Sequence, residues 1–233
     1  AGRPRGHPKV RAGRQRRRQQ DMAKGRCKLL AVDVDGTLLH QGRIDPADAD
    51  ALRAAAKAGL VVAPISWRFV AKEVEYIVNH ADSKVVIVEE EFVPVVNQAK
   101  ANFEDVIKDG YIVIRRSDNP VPEGYMDYEM FLASAPADRP KVKVEPKDPW
   151  IQVYTSGTTG LPKGCVRSHG SYAAVYTIFT IEHGFNENMY GMTIMPWFHV
   201  NSTFYGLLWT YIGGSQFIGR DRGFDPEELL SII

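Results

Sequence analysis

The chain has 233 residues, of which 44% are hydrophobic and 24% are charged, and it holds two cysteines, Cys27 and Cys165. These proportions are typical of a folded globular protein, and no uninterrupted apolar run is long enough to span a bilayer, so the composition excludes a membrane protein. Two cysteines without metal-ligand spacing exclude a disulfide framework, and we therefore expect a reducing, cytoplasmic environment.

The formal net charge of +1 hides a basic N-terminal segment. Eight of the 29 Lys and Arg residues lie within residues 1–20, where no acidic residue occurs. Such an arm can bind nucleic-acid phosphates or act as a targeting segment. It lacks the aromatic residues of a specific nucleic-acid reader and the apolar stretch of a signal peptide, and Met22 follows it directly. We therefore interpret residues 1–27 as a basic, disordered tail, part of it upstream sequence read in frame, and expect no nucleic-acid binding.

An apolar run from Lys28 to Leu39 predicts the first strand, which carries two carboxylates, Asp33 and Asp35, followed by Gly and Thr. Because the two carboxylates are two residues apart, both lie on one side of an extended strand. There both can face one Mg²⁺ and one phosphoryl group. An ordinary Asp-Gly-Thr turn is the alternative interpretation. Asp45 then predicts the start of an Ala-rich helix over residues 47–58.

Residues 28–59 resemble the first motif of the haloacid-dehalogenase-type phosphatases. The resemblance implies that Asp33 is a nucleophile, that Asp35 is a general acid and base, and that both bind Mg²⁺. The sequence shows no counterpart of that family's closing acidic motif, and a segment of about 30 residues is too short to bury a core. We do not expect a working phosphatase, and a phosphatase fragment remains an alternative function.

Strand and helix patterns alternate from residue 60 onward. The predicted elements are a strand from Val61 that ends in Pro, a helix with Val70, Val74, Ile77 and Val78 on one face, a strand over 84–88, a helix over 91–101, a strand over 111–114, a helix over 125–134 and a proline-rich linker over 135–149. This alternation indicates an α/β fold with the strands at Val61 and Val85 parallel in one sheet. We expect the linker to be exposed and extended.

The run from Tyr154 to Gly164, YTSGTTGLPKG, is the most informative motif. Its parts are the hydroxyl donors Thr155, Ser156, Thr158 and Thr159, the glycines Gly157 and Gly160, where backbone N–H groups can approach an anion, and the cation Lys163. Together they predict a phosphate-binding loop. The spacing differs from the Walker A pattern, because Lys163 follows Gly160 by three residues and precedes a Gly. Residues 150–154 and 164–167 predict the two strands of a hairpin that carries the loop.

Further elements follow the loop. They are a helix capped by Ser168 and ending near Gly184, a block over 192–201 (MTIMPWFHVN) that predicts a strand ending in Pro, two aromatics and His199, an apolar helix over 205–214, a strand over 216–218 and a last helix opened by Asp225. A lone His at a strand end is most often a hydrogen-bonded structural residue.

The loop at 154–164 and the block at 192–201 resemble those of the adenylate-forming superfamily, which includes the acyl-CoA synthetases, and the resemblance covers about residues 58–233. It implies ATP-dependent activation of a carboxylic acid to an acyl-adenylate and transfer of the acyl group to CoA, with Mg²⁺ as the metal. In that scheme the nucleotide phosphates bind to Thr155, Ser156, Gly157, Thr158, Thr159, Gly160 and Lys163. His199, Trp197 and Phe198 border the acyl or CoA pocket.

The two resemblances divide the chain into the tail at 1–27, a short Rossmann-like strand-helix piece at 28–59, and a partial N-terminal domain at 60–233 with a mixed sheet and flanking helices. The superfamily's Thr-Glu metal block, its ribose-binding Asp and its C-terminal catalytic Lys have no counterpart in the 233 residues. We therefore expect impaired catalysis, and a chimeric, non-functional fragment is an alternative. We also expect self-association through uncovered sheet edges.

Overall fold

The computed structural model of the chain describes residues 28–31, 39–40, 43–44, 58–134, 138, 141–155, 161–218 and 226–232. Several predicted features lie outside these residues. They are Asp33 and Asp35, the middle of the predicted loop at 156–160, most of the predicted helix over 47–58, and Asp225.

Strands in the described residues form one large sheet and two small ones. In chain order they are β1 (Lys28–Ala31), β2 (Leu39–His40), β3 (Arg43–Ile44), β4 (Val61–Val62), β5 (Val85–Glu89), β6 (Tyr111–Ile114), β7 (Met126–Asp127), β8 (Pro149–Thr155), β9 (Lys163–Ser168), β10 (Tyr190–Thr193) and β11 (Ser215–Ile218). The large sheet has the order β7-β6-β5-β1-β4-β8-β9. All its neighbouring strands are parallel except β8 and β9, which are antiparallel. The predicted α/β class and mixed sheet are confirmed.

Strand β1 occupies the middle of this sheet. Its register pairs Leu29 with Val62 of β4 on one side and with Val85 of β5 on the other. The predicted parallel relation of the Val61 and Val85 strands is therefore confirmed, and β1 lies between them. A strand from the segment that the sequence assigns to a separate piece thus shares one hydrogen-bonded sheet with the strands that follow residue 60.

The helices of the described residues cover both faces of the sheet. They are α1 (Ala71–His80), α2 (Val93–Ala99), α3 (Tyr128–Ser134), α4 (His169–His183), α5 (Val200–Ile212) and α6 (Pro226–Ile232). Successive residues of a strand point to opposite faces, and a core lies on each face of the sheet. One core packs α1 and α2 on the sheet and includes Ile65, Val74, Ile77, Val86, Val88, Val96 and Val113. The other packs α4 and α5 and includes Val62, Ile151, Val153, Tyr172, Tyr176 and Leu208.

The small sheet of β10 and β11 is parallel, and α5 makes the crossover between its strands. Trp209 of α5 lies so close to Gly191 of β10 that a Cβ there would overlap the indole ring. Trp197 covers Gly206 of α5 in the same way. Glycine at these two positions therefore lets a tryptophan pack directly on the backbone.

Several predicted boundaries shift for local reasons. Helix α2 begins at Val93 and is flanked by 3₁₀ turns, so it is shorter than predicted, with Pro94 in its first turn. Helix α5 begins at Val200 rather than near residue 205, because His199 is its N-cap. Helix α4 begins after Ser168 and ends before Gly184, as predicted.

The end of the linker departs from its predicted exposure. Asp148 is buried, its carboxylate accepts a hydrogen bond from the Glu145 backbone N–H at 2.7 Å, and its carbonyl accepts one from the His169 backbone N–H at 3.0 Å. The last turn of the linker is thereby tied to the start of α4. None of the described helices has both the length and the apolar character needed to cross a membrane.

Candidate functional site

The base of the predicted phosphate loop is a regular antiparallel hairpin. Strands β8 and β9 pair Thr155 with Lys163 and Tyr154 with Gly164, which confirms the predicted hairpin. Both Thr155 and Lys163 are exposed. Because directly opposite residues of a ladder project from the same face, the first hydroxyl and the cation of the motif stand side by side where the loop begins and ends. Of the seven residues between them, the five at 156–160 lie outside the described residues.

Two side chains pack closely on Gly164 under the loop. A Cβ at this position would lie 2.5 Å from Nε2 of Gln152 and 3.2 Å from the Tyr154 ring. Gln152 is 3% exposed. The side chains of Gln152 and Tyr154 therefore fill the space over Gly164, next to Lys163.

A group of polar side chains joins the hairpin to helix α1. The Tyr76 hydroxyl donates to the Pro162 carbonyl at 3.0 Å. The Tyr154 hydroxyl accepts from Gln152 Nε2 at 2.9 Å and lies 2.9 Å from Nδ1 of His80. Burial raises the pKa of the Tyr154 phenol well above its usual range, so this hydroxyl stays neutral.

Sequence reasoning missed these contacts. Tyr76 and His80 sit one turn apart on α1, beside the buried Ile77. Tyr and His carry a polar group at the end of an aromatic ring. Such a pair beside the apolar face of an amphipathic helix weakly indicates that the helix makes hydrogen bonds as well as core contacts. The pattern does not tell which loop it reaches, because that loop is 86 residues further along the chain.

The second predicted group, Trp197, Phe198 and His199, forms the turn that leads into α5. The ring Nδ1 of His199 accepts a hydrogen bond from the Asn201 backbone N–H at 3.2 Å and so caps the helix. Because Nδ1 acts as the acceptor, the neutral ring carries its proton on Nε2. This capping role is the structural role expected of a lone His at the end of a strand. It leaves the Nε2–H group of His199 as a hydrogen-bond donor.

The turn is fixed by its own side chains. Thr203 Oγ1 donates to the Trp197 carbonyl at 2.6 Å, and Ser202 Oγ donates to the Met195 carbonyl. Trp197 is 2% exposed and packs on Gly206, whereas Phe198 is half-buried. Trp197 is therefore a core residue here, and the pocket role of the three side chains stays a prediction.

One core links the two predicted groups. Ile151 and Val153 of β8 pack in the same cluster as Leu208 of α5, with Phe204 against it. Thr155 follows Val153 by two residues and therefore projects on the α5 face of the sheet. The strand that carries the phosphate loop and the helix that begins after His199 are thus held against one another.

Thr155 and Lys163 offer groups that can bind a phosphate oxygen. An exposed hydroxyl and an exposed ammonium side by side can both donate to an anionic oxygen, and a charged donor makes the stronger bond. No group of three or more His, Cys, Asp or Glu side chains placed to hold a metal ion occurs within the described residues. The predicted Mg²⁺ ligands Asp33 and Asp35 lie outside them.

The family model described as AMP-binding enzyme matches residues 50–233. The chain belongs to the AMP-binding enzyme family. It is 30% identical over 177 residues to a long-chain-fatty-acid–CoA ligase from Thermus thermophilus, a match that covers 75% of this chain and 31% of that protein. It is 32% identical over 162 residues to 4-hydroxybutyrate–CoA ligase 2 from Metallosphaera sedula, covering 66% of this chain and 28% of that protein.

Solved structures agree with this assignment. The inhibitor-bound N-terminal domain of FACL13 from Mycobacterium tuberculosis superposes with a TM-score of 0.68 and 26% identity, covering 93% of this chain and 49% of that one. The chain spans about a third of the length of the curated relatives it matches.

These matches give no support to the phosphatase resemblance of residues 28–59. The AMP-binding match begins inside that segment, at residue 50.

Proposed function

We propose that this AMP-binding family chain acts in the ATP-dependent activation of a carboxylic acid. In this proposal the hairpin loop at 155–163 is the phosphate-binding loop. In this reaction a carboxylate oxygen attacks the α-phosphorus of ATP, the bond to the β-phosphate oxygen breaks, and pyrophosphate leaves with the negative charge. The products are an acyl-adenylate and pyrophosphate. The thiol of CoA then attacks the acyl carbonyl, the acyl–phosphate bond breaks, and AMP leaves.

The side-by-side placement of Thr155 and Lys163 at the base of the loop supports the proposal. Donors aimed at the leaving pyrophosphate stabilise the charge that develops there in the transition state. In this proposal Lys163 supplies the charge, and the hydroxyl and backbone N–H groups of Thr155, Ser156, Gly157, Thr158, Thr159 and Gly160 complete the cradle. Mg²⁺ would neutralise phosphate charge when bound. Phe198 and His199 border the acid, and Trp197 holds their turn in place from the core.

The acid itself is defined only by class. One relative is named for a long-chain fatty acid and another for 4-hydroxybutyrate. The feature common to these two names is a carboxylic acid joined to CoA. We therefore propose a carboxylic acid as the substrate of this chain and assign no chain length to it.

The test is nucleotide binding to the full chain, measured by titration calorimetry with ATP and with AMP in the presence of Mg²⁺. Lys163→Ala should weaken ATP binding by about tenfold to a hundredfold, the range for a lost hydrogen bond to a charged group. Binding of AMP, which lacks the β- and γ-phosphates, should change far less. Lys108→Ala, which removes another exposed lysine, is the matched control and should bind both nucleotides like the unaltered chain.

If Lys163→Ala weakens the binding of ATP and of AMP by the same factor, Lys163 does not bind the β- and γ-phosphates. Failure of the unaltered chain to bind ATP would reject the proposal as a whole. Where ATP binds, acid-dependent exchange of labelled pyrophosphate into ATP tests the chemical step directly. Exchange should require a carboxylic acid and should fall with Lys163→Ala.

A further inference from the structure

Two side-chain contacts attach the predicted phosphate loop to helix α1. The first is the hydrogen bond from the Tyr76 hydroxyl to the Pro162 carbonyl, 3.0 Å long. Pro162 immediately precedes Lys163, so this bond holds the backbone at the exit of the loop. The second contact is made by Tyr154, which pairs with Gly164 across the hairpin and whose hydroxyl lies 2.9 Å from Nδ1 of His80.

The partners on α1 are themselves held firmly. The rings of Tyr76 and His80 stack with their centroids 5.3 Å apart, and the rings of His80 and Tyr154 meet edge to face at 5.7 Å. The Tyr154 hydroxyl also lies 3.4 Å from the Ile77 carbonyl, and Ile77 is fully buried in the core. Tyr76 therefore reaches the loop from a helix whose last turn is fixed by packing.

We propose that Tyr76 is a positioning residue for the phosphate loop, which it holds by the Pro162 carbonyl so that Lys163 is directed at the nucleotide. This inference rests on the proposed function of the loop. When the backbone at Pro162 is not held, Lys163 can adopt positions from which it does not reach the nucleotide, and each of these lowers the fraction of molecules ready to bind. A hydrogen bond from a rigid helix at the exit of the loop raises that fraction without touching the ligand.

The geometry explains why a tyrosine serves here. Proline has no backbone N–H, so the backbone of Pro162 offers a side chain only its carbonyl to bind. The phenol is a donor at the end of a rigid, apolar ring that can pack on His80 while reaching outward. Phenylalanine keeps the ring and its stacking and lacks only the donor.

The variant Tyr76→Phe therefore isolates the hydrogen bond. Amide hydrogen exchange of the full chain, followed by mass spectrometry, should show exchange at Leu161, Lys163 and Gly164 faster by about fivefold, the effect of one ordinary hydrogen bond. Exchange in β5 (Val85–Glu89) should stay unchanged. The affinity for ATP should fall by about the same factor, because fewer molecules hold the loop ready.

The matched control is Tyr125→Phe. It removes another tyrosine hydroxyl, which donates to Asn97 Oδ1 at 2.9 Å. Tyr125 packs on Tyr111 of β6, four strands away from β8 in the sheet order. It should leave both the exchange of the loop and the affinity for ATP unchanged.

Unchanged loop exchange in Tyr76→Phe would overturn the positioning role whether or not the chain binds ATP. Faster loop exchange with unchanged ATP affinity would also overturn it, because the contact would then order the loop without serving binding. Faster exchange in a chain that binds no ATP would reject the proposed function and, with it, the positioning role. If Tyr125→Phe has the same effects as Tyr76→Phe, the loop responds to general destabilisation and the role is rejected.

Discussion

The hydroxyl of Tyr176 illustrates how one buried atom affects stability. Tyr176 is 4% exposed, lies among the rings of Tyr172, Phe204 and Tyr211, and its hydroxyl has no hydrogen-bond partner among the described residues. Burial raises the pKa of this phenol well above its usual range, so the group stays neutral. A buried polar atom without a partner costs free energy on folding.

We expect Tyr176→Phe to raise the free energy of unfolding by about 1 kcal/mol, because it removes that cost and keeps the ring contacts. Urea denaturation monitored by tryptophan fluorescence measures the change. Tyr125→Phe, which deletes a hydroxyl with a hydrogen-bond partner, should move the free energy of unfolding in the opposite direction. A loss of stability in Tyr176→Phe would mean that this hydroxyl does have a partner, such as an internal water.

Among the secondary-structure elements, the turn after β6 depends on a single carboxylate. Glu90 follows β5 and accepts hydrogen bonds from the side chains of Ser117 and Asn119 and from the backbone N–H groups of Arg116 and Ser117. These bonds, that from the Ser117 side chain first, lower the pKa of Glu90 from 4.5 to about 2. The carboxylate must be ionised to accept all of them.

This shift sets a pH window for stability. Since the pKa is lower in the folded chain than in the unfolded one, the Glu90 contribution is fully present above pH 4.5 and is lost as the pH falls toward about 2. We expect the unaltered chain to lose more stability between pH 5 and pH 2.5 than Glu90→Gln does, measured as the shift in urea midpoint. Ser117→Ala should lie between the two, and identical acid profiles for all three chains would refute the assignment.

Elements with strong local signals could be predicted from the sequence. The hairpin of β8 and β9, the Ser168 cap of α4 and its Gly184 stop depend on residues within a few positions of one another. The placement of Thr155 opposite Lys163 comes from the register of this hairpin, which the sequence pattern does not give. The N-cap role of His199 was harder to predict, because a histidine is an unusual cap and the apolar helix pattern is strongest further along.

Contacts between distant segments could not be predicted. Tyr76 and Pro162 are 86 residues apart, and their hydrogen bond exists because α1 and the hairpin pack near the same edge of the sheet. The same holds for β1, whose neighbours β4 and β5 are set by the whole sheet. A strand pattern tells that a segment is extended, and it does not tell which strands it will pair with.

For the whole molecule, surface charge bears on the expected self-association. In the described sheet β9 is an edge strand, and it exposes Lys163 and Arg167 along that edge. Charged side chains on an edge strand oppose pairing with another chain. Exposed Ile178 and Ile181 on α4 offer an apolar surface instead. Self-association stays a prediction, and if it occurs we expect it through α4 rather than through β9.

The position of β1 has the largest consequence for the molecule as a whole. β1 hydrogen-bonds to β4 on one side and to β5 on the other, so it joins the half of the sheet that carries α1 and α2 to the half that carries the phosphate hairpin. Without β1 the described sheet would separate into β7-β6-β5 and β4-β8-β9. Residues Lys28–Ala31 therefore belong to the same sheet as the strands that follow residue 60.

Two truncated chains that differ by four residues test this consequence. A chain beginning at Lys28 keeps β1, and one beginning at Val32 lacks it. We expect the first to unfold in one cooperative transition and the second to unfold at lower urea concentration or in a broadened transition, because the two half-sheets lose their common strand. Circular dichroism during urea unfolding provides the comparison, and ATP titration should show weaker binding for the chain that begins at Val32. Superimposable unfolding curves would mean that β1 adds nothing to the sheet and that residues 28–59 are a separate piece, as the sequence alone predicts.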